Sequence, residues 1–234
     1  MQMLSAQLQT SLTLGQHQQA AASSQIMNGE DKDSRTGVLR APNGAHRLWR
    51  WDEVEEMVVY GLGSLEAGHV PRYQLALALL LADRLPKLQG PIQVFDPVFT
   101  EVDHQLLKEQ GLLVLGENEE GRRRATRPTL FYLPHCEADL CSNLVEANLG
   151  CGTLAVVLGN SFALYHERWT QAGSAQTQHR RARLDALLRT VEVGAVLEVP
   201  ISDHHFPVVS AFNDMSLHLF PATGNPANGD VNAT

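Results

Sequence analysis

Five short polar motifs each border an apolar run, and their residue types are ones that bind or react. Gly61-Leu62-Gly63-Ser64 follows Met57-Val58-Val59-Tyr60, Asp96-Pro97 follows Ile92 to Phe95, and Pro134-His135-Cys136 follows Thr129 to Leu133. Gly159-Asn160-Ser161 follows Thr153 to Leu158, and Phe212-Asn213-Asp214 precedes the alternating run Ser216 to Phe220. A glycine turn can offer backbone N–H groups of residues 61 to 64 to an anionic ligand. An acid at a strand end can accept from a ribose hydroxyl, as Asp96 would. His135 and Cys136 have the types of a base and nucleophile, or of haem or metal ligands. Asn160, Asn213 and Asp214 can hydrogen-bond a polar ligand.

Each motif also has a plainer reading. A dinucleotide fingerprint wants glycine at position 66, which is Glu66, and the position two residues before Gly61 is Val59 rather than an acid. Asp96 lies 35 residues after Gly61, further than the usual spacing of about 20, and a loop cap would explain it as well. Neighbours on an extended chain point to opposite sides, so His135 and Cys136 are not placed to activate each other. A buried, hydrogen-bonded histidine beside a packed cysteine is the simpler expectation. Cys136, Cys141 and Cys151 match no zinc spacing, and His204-His205 lacks ligand neighbours beyond Asp203, so we expect no metal site and assign no catalytic residue.

The elements that must position these motifs are legible in the apolar pattern. Runs at 57–60, 92–95, 112–115, 129–133 and 153–158 are nearly continuous, as parallel strands covered on both faces require. Between them lie a mostly apolar helix from Pro71 to Asp83, which we expect to be buried on more than one side, and one opened by Thr100 and Asp103 as N-cap and acid. In the second helix Val102, Leu106 and Leu107 are expected to face the core. A third carries Leu140, Leu144 and Ala147 on one face. Leu184, Leu187, Leu188 and Val191 recur at i, i+3, i+4, i+7 in a fourth. Val193 to Val199 and Ser216 to Phe220 complete seven strands. The fold class is α/β: a Rossmann-like, doubly wound, mostly parallel sheet of order 3-2-1-4-5-7-6 with an antiparallel last strand. In such a sheet all five motifs share one edge, where ligands bind.

Hydrophobic residues make up 44% of the 234, enough for one sizeable domain. Residues 1–45, rich in Gln, Ser and Ala, are expected to lack structure, as is the tail 221–234, leaving a domain at 46–220 with Trp49 and Trp51 packed at its edge. Residues 167–180 have the polar character of a mobile stretch. With 18 basic and 26 acidic residues the net charge is −8, which argues against direct nucleic-acid binding. The cluster Arg122-Arg123-Arg124 with Arg127 reads as part of an exposed connection, 117–127. No apolar run approaches the length of a membrane span, three cysteines give no disulfide framework, and no secretory signal is visible, so we expect a cytoplasmic protein, present in the nucleus as well.

The motifs Tyr60-Gly61-Leu62-Gly63-Ser64, Tyr73-Gln74-Leu75-Ala76, Phe95-Asp96-Pro97-Val98-Phe99, Pro134-His135-Cys136, Leu158-Gly159-Asn160-Ser161-Phe162 and Phe212-Asn213-Asp214 together resemble the "sensitivity to red light reduced" (SRR1-like) domain family, in its vertebrate type, over about residues 50 to 220. The resemblance implies a regulatory protein rather than an enzyme. Animal members are linked to regulation of haem biosynthesis and of circadian clock genes, plant members to light signalling and the clock. It carries no catalytic residues over to this chain, and leaves the partner, a regulatory protein or a small molecule, unidentified. A haem or a nucleotide-like cofactor would define two alternatives, a haem-binding regulator and a methyl-donor or other nucleotide-cofactor transferase. The Cys-Pro pair of haem-responsive segments is absent, which leaves His135 or His104 for haem.

Overall fold

The computed structural model describes residues 38–40, 47–150, 154–170, 181–204, 206–208 and 210–220. Most of the segment 1–45 and all of 221–234, both expected to lack structure, and most of the polar stretch 167–180 lie outside these residues. Val38–Arg40 (β1) pairs antiparallel with Arg47–Arg50 (β2). That pairing corrects the expected boundary at residue 45: a three-residue strand whose backbone bonds are supplied by a partner further along leaves little trace in composition.

Seven strands form the main sheet: Glu56–Tyr60 (β3), Gln93–Phe95 (β4), Leu113–Val114 (β5), Thr129–Leu133 (β6), Ala155–Asn160 (β7), Leu197–Pro200 (β8) and Met215–Leu219 (β9). Their order is β5-β4-β3-β6-β7-β9-β8, with β9 antiparallel to both neighbours. This is the expected order. Two strands have shifted bounds. Gly159 and Asn160 are the last residues of β7, paired with Ser216 and Met215, rather than a loop beyond it. Val193 belongs to a helix end and is 75% exposed, so β8 starts later than the apolar run.

Helices cover both faces. His69–Asp83 (α1) and Glu101–Glu109 (α2) pack on the face lined by Met57, Val59, Val94, Leu130, Tyr132 and Val156. Ala138–Asn148 (α3), Phe162–Thr170 (α4) and Asp185–Glu192 (α5) cover the face lined by Val58, Tyr60, Phe131, Leu133 and Val157. Residues of period two along one strand therefore split between two cores, as strands buried on both sides demand. Fully burying each such side chain contributes about 1.5–3 kcal/mol. The half-buried Trp51 packs against the first core, as expected of an edge residue.

Three helix faces differ from their expected placement. In α1 only Gln74 and Ala78 are fully buried and Leu80 is exposed, so one stripe rather than the whole surface meets the core. In α2 the buried residues are Asp103 and Leu107, while Val102 faces water because the capping box turns Asp103 inward. In α3 the buried face runs through Ala138, Cys141, Ser142, Leu144 and Val145, with Leu140 at its margin. The helix α4 was unforeseen, though Phe162, Tyr165 and Trp169 are spaced for one buried face.

The connection 117–127 is not simply exposed. Ala125 is buried, and the Arg123 side chain, 18% exposed, turns inward to Glu119 (2.7 Å), Gln93 (2.6 Å) and Glu56 (3.6 Å). Glu119 also accepts from the Tyr60 hydroxyl. This loop stands where a helix would otherwise cover β3 and β4, so its polar side chains satisfy one another over an apolar floor.

The connection from β8 to β9 crosses the edge where the parallel strands end. Phe206 packs edge-on against Tyr73 of α1 (5.3 Å) and against Phe212 (4.8 Å), while the buried Gln74 Nε2 donates to the Ala211 carbonyl at 3.1 Å.

Candidate functional site

All ten flagged residues lie at the edge where the parallel strands end, but they fall into two groups. The first is the glycine turn with Asp96. Gly61 and Gly63 have φ of +72° and +78°, backbone that glycine adopts without cost. A Cβ on Gly61 would stand 2.4 Å from Cys136 Sγ, so the turn and the segment after β6 meet backbone to side chain. Two of the turn's N–H donors are taken. Gly61 N–H donates to the Phe95 carbonyl (3.1 Å) and Gly63 N–H to Asp96 Oδ2 (2.7 Å). Asp96 Oδ1 accepts from Val98 N–H at 3.0 Å, so this carboxylate ties the ends of β3 and β4 together.

A second carboxylate completes the group. Asp103 is fully buried and accepts from Leu65 N–H and Thr100 N–H, each at 2.9 Å. Burial alone would raise its pKa, but those bonds and one from the Ser64 hydroxyl outweigh burial and hold the carboxyl below its ordinary range. Ser64 thus faces α2 through Asp103. The turn supplies structure from its own chemistry.

Cys136 sits between the groups. Its thiol donates to the Tyr60 carbonyl at 3.1 Å and is buried, and burial pushes its pKa well up. The same cause pushes Cys141 up to about 12. Neither is a thiolate nucleophile near neutrality. His135 sits in the turn after β6 with φ +54°: it is exposed, and Nε2 lies 2.8 Å from the Ser210 carbonyl. A carbonyl only accepts, so Nε2 carries a proton and donates.

The second group lines a cavity of about 140 Å³ formed by His135, Asn160, Ser161, Leu164, Tyr165, Arg168, Asn213 and Asp214. His135 comes from the end of β6, Asn160 from β7, the Asn213-Asp214 pair from the entry to β9, and the rest from α4. Tyr165 Oη donates to the Cys136 carbonyl at 2.5 Å and accepts from Asn160 Nδ2 at 2.8 Å. Burial raises the Tyr165 pKa, so the phenol stays protonated. Gly159 stays outside the cavity, where its missing side chain lets β7 lie close to the Leu133 carbonyl.

The N-terminus of α4 borders the cavity, yet its donors are occupied by protein groups. Ser161 Oγ caps Leu164 N–H (3.1 Å), Ala163 N–H donates to Glu198 Oε2 (2.9 Å), and Phe162 N–H donates to His218 Nε2 (3.3 Å). His218 is fully buried, stacked on Phe162 at 3.7 Å, with Nδ1 donating to the Val157 carbonyl. Burial lowers its pKa to about 4 against the upward pull of Glu198. Tyr165, Arg168 and Leu164 were not among the flagged residues; the helical spacing of Phe162, Tyr165 and Trp169 was the signal that places them.

Among the described residues no three of His, Cys, Asp and Glu gather to hold a metal ion, and no helix is long and apolar enough to cross a membrane.

A doubly wound, mostly parallel sheet with helices on both faces defines a Rossmann-like domain. The chain belongs to the SRR1 domain family, whose model matches residues 42–219. It is 38% identical over 167 residues to Protein SENSITIVITY TO RED LIGHT REDUCED 1 of Arabidopsis thaliana (70% of this chain, 58% of that protein). It is 38% identical over 114 residues to an SRR1-like protein of Mus musculus (47% and 46%), and 31% over 182 residues to one of Drosophila melanogaster (76% and 59%). The matches thus span less than two thirds of these relatives' own lengths. Among solved structures, a Staphylococcus aureus protein assigned as a caffeoyl-CoA O-methyltransferase overlays with a TM-score of 0.39 at 11% identity, covering 71% of this chain and 76% of that one; at that level the overlay says nothing about chemistry.

Proposed function

We propose that this protein is a regulator that works by binding, not by catalysis, and that the cavity of His135, Asn160, Asn213 and Asp214 is where it engages a small ligand or a side chain of a partner protein. The observation that carries this reading is the contrast in polar groups at the sheet edge: the Gly61 and Gly63 N–H groups and the Asp96 and Asp103 carboxylates are partnered within the protein, while Asn160 Oδ1, in a residue lining the cavity, is buried without a partner. The family supports a regulatory role, the plant relative being named for sensitivity to red light. Haem biosynthesis and clock-gene expression are the processes we propose it regulates, from the cytoplasm and nucleus.

A methyl-donor or nucleotide site is disfavoured, since Gly61 and Gly63 N–H groups are already bonded to Phe95 and Asp96. A haem is disfavoured in the cavity, which at about 140 Å³ is far smaller than a porphyrin. The test uses cells lacking the protein, with transcripts of haem-synthesis enzymes and clock genes followed over a day. Wild-type protein should restore them, and a folded His135→Ala, Asp214→Asn double variant should not. Equal restoration by the double variant would remove the cavity from the function.

A further inference from the structure

The cavity's charges point to the class of ligand, an inference that rests on the binding role proposed above. Its wall holds one cation, Arg168, and one anion, Asp214. Arg168 and Asp214 face the same space, yet among the described residues they make no ion pair. Asp214 is anchored from two sides: its carbonyl accepts from Ser161 N–H at 2.8 Å, and its carboxylate from Asn213 Nδ2 at 3.2 Å. Its backbone is held at φ +58°. Arg168 lies two turns into α4. The two charges are thus mounted on separate elements across the cavity.

A third group sets the polarity of the floor. Tyr165 gives its hydroxyl proton to the Cys136 carbonyl, so its oxygen must accept from Asn160, which fixes the amide with Nδ2 toward Tyr165. Asn160 Oδ1 is left as a buried acceptor without a donor. Such a group costs about 1–3 kcal/mol unless something donates to it. The cavity wall thus carries one carboxylate, Asp214, and one guanidinium, Arg168, beside the buried Asn160 amide.

We propose that the cavity binds a small zwitterion of the amino-acid class, its ammonium on the Asp214 carboxylate and its carboxylate on Arg168. A volume of about 140 Å³ limits it to the smallest members. His135, held by Ser210, walls one side.

The test is calorimetric titration of the full chain at pH 7.5 with glycine, L-alanine, L-serine and β-alanine, and with acetate and ethylammonium as the two halves. At least one zwitterion should bind saturably, and tenfold or more tighter than either half. Arg168→Met and Asp214→Asn should each weaken it at least tenfold while leaving the melting temperature within about 2 °C. If no zwitterion binds, or acetate alone binds as well, or both variants bind like wild type, the assignment is wrong. Because the cell-based restoration does not depend on ligand identity, it can succeed where this titration fails, which separates this proposal from the broader one.

Discussion

The two halves of the sheet edge are built from the same materials, turns and carboxylates at strand ends, and use them in opposite ways. In the glycine half, Asp96 and Asp103 accept from Gly63, Val98, Leu65 and Thr100, so carboxylates are spent on backbone N–H groups and the turn is locked. In the cavity half, Asp214 and Arg168 stay apart and Asn160 keeps an unpaired acceptor. A polar group engaged inside the protein stabilises the fold; one left open can serve a ligand. The lesson is that a glycine motif at the proper place in a Rossmann-like sheet can be a clamp, with the proposed binding cavity further along the same edge.

Substitutions should separate the halves by their cost. The largest effect is expected for Gly61→Ala, whose Cβ meets Cys136 Sγ at 2.4 Å on backbone of positive φ. Overpacking and left-handed strain together predict a loss of about 4 kcal/mol in urea denaturation. Adding Cys136→Ala should return most of it, leaving about 1 kcal/mol of backbone strain; no recovery would show that the clamp is not steric.

Next in size is the response to acid, which should arise beneath the cavity half. His218 titrates near 4 in the fold against 6.5 unfolded, so between these values the unfolded chain binds more protons. Its contribution is complete above pH 6.5 and is lost as pH falls toward 4, by about 3 kcal/mol at pH 4.5. Urea midpoints at pH 7.5 and 4.5 measure this, and His218→Gln should flatten the difference.

Asp103→Ala should cost about 2 kcal/mol, since it leaves the N–H groups of Leu65 and Thr100 without acceptors. The smallest effect belongs to the open half: Asp214→Asn should change stability by less than about 0.5 kcal/mol, because Asn tolerates the left-handed conformation and the residue is exposed. Thermal unfolding of both variants side by side checks the contrast, and equal losses would dissolve it.

The sheet was readable in the sequence because its five parallel strands are buried on both faces, and burial writes itself as unbroken apolar runs such as Met57 to Tyr60. The order followed from right-handed crossovers. What escaped was set by long-range partners. Val38–Arg40 is a strand only because Arg47–Arg50 lies beside it. Arg123 reads as one of a solvated cluster until Glu56, Gln93 and Glu119, from three other segments or turns, surround it. Within the candidate site, His135, Asn160, Asn213 and Asp214 were legible as strand-end residues. That Gly63 and Asp96 would bond each other was not, because either could equally have held a ligand. Arg168 was hidden in a polar stretch whose helical face depends on Phe162 and Tyr165 finding the core.

The crossing between β8 and β9 sets a constraint on how the chain is made. Gln74, in the first helix of the domain, is satisfied by Ala211, 137 residues later, and Tyr73 waits for Phe206. Contacts of such sequence separation form late, after their loop-closure cost has been met by the rest of the sheet. During synthesis this edge of the amino-terminal half must therefore stay open until the segment carrying Phe206 and Ala211 has left the ribosome.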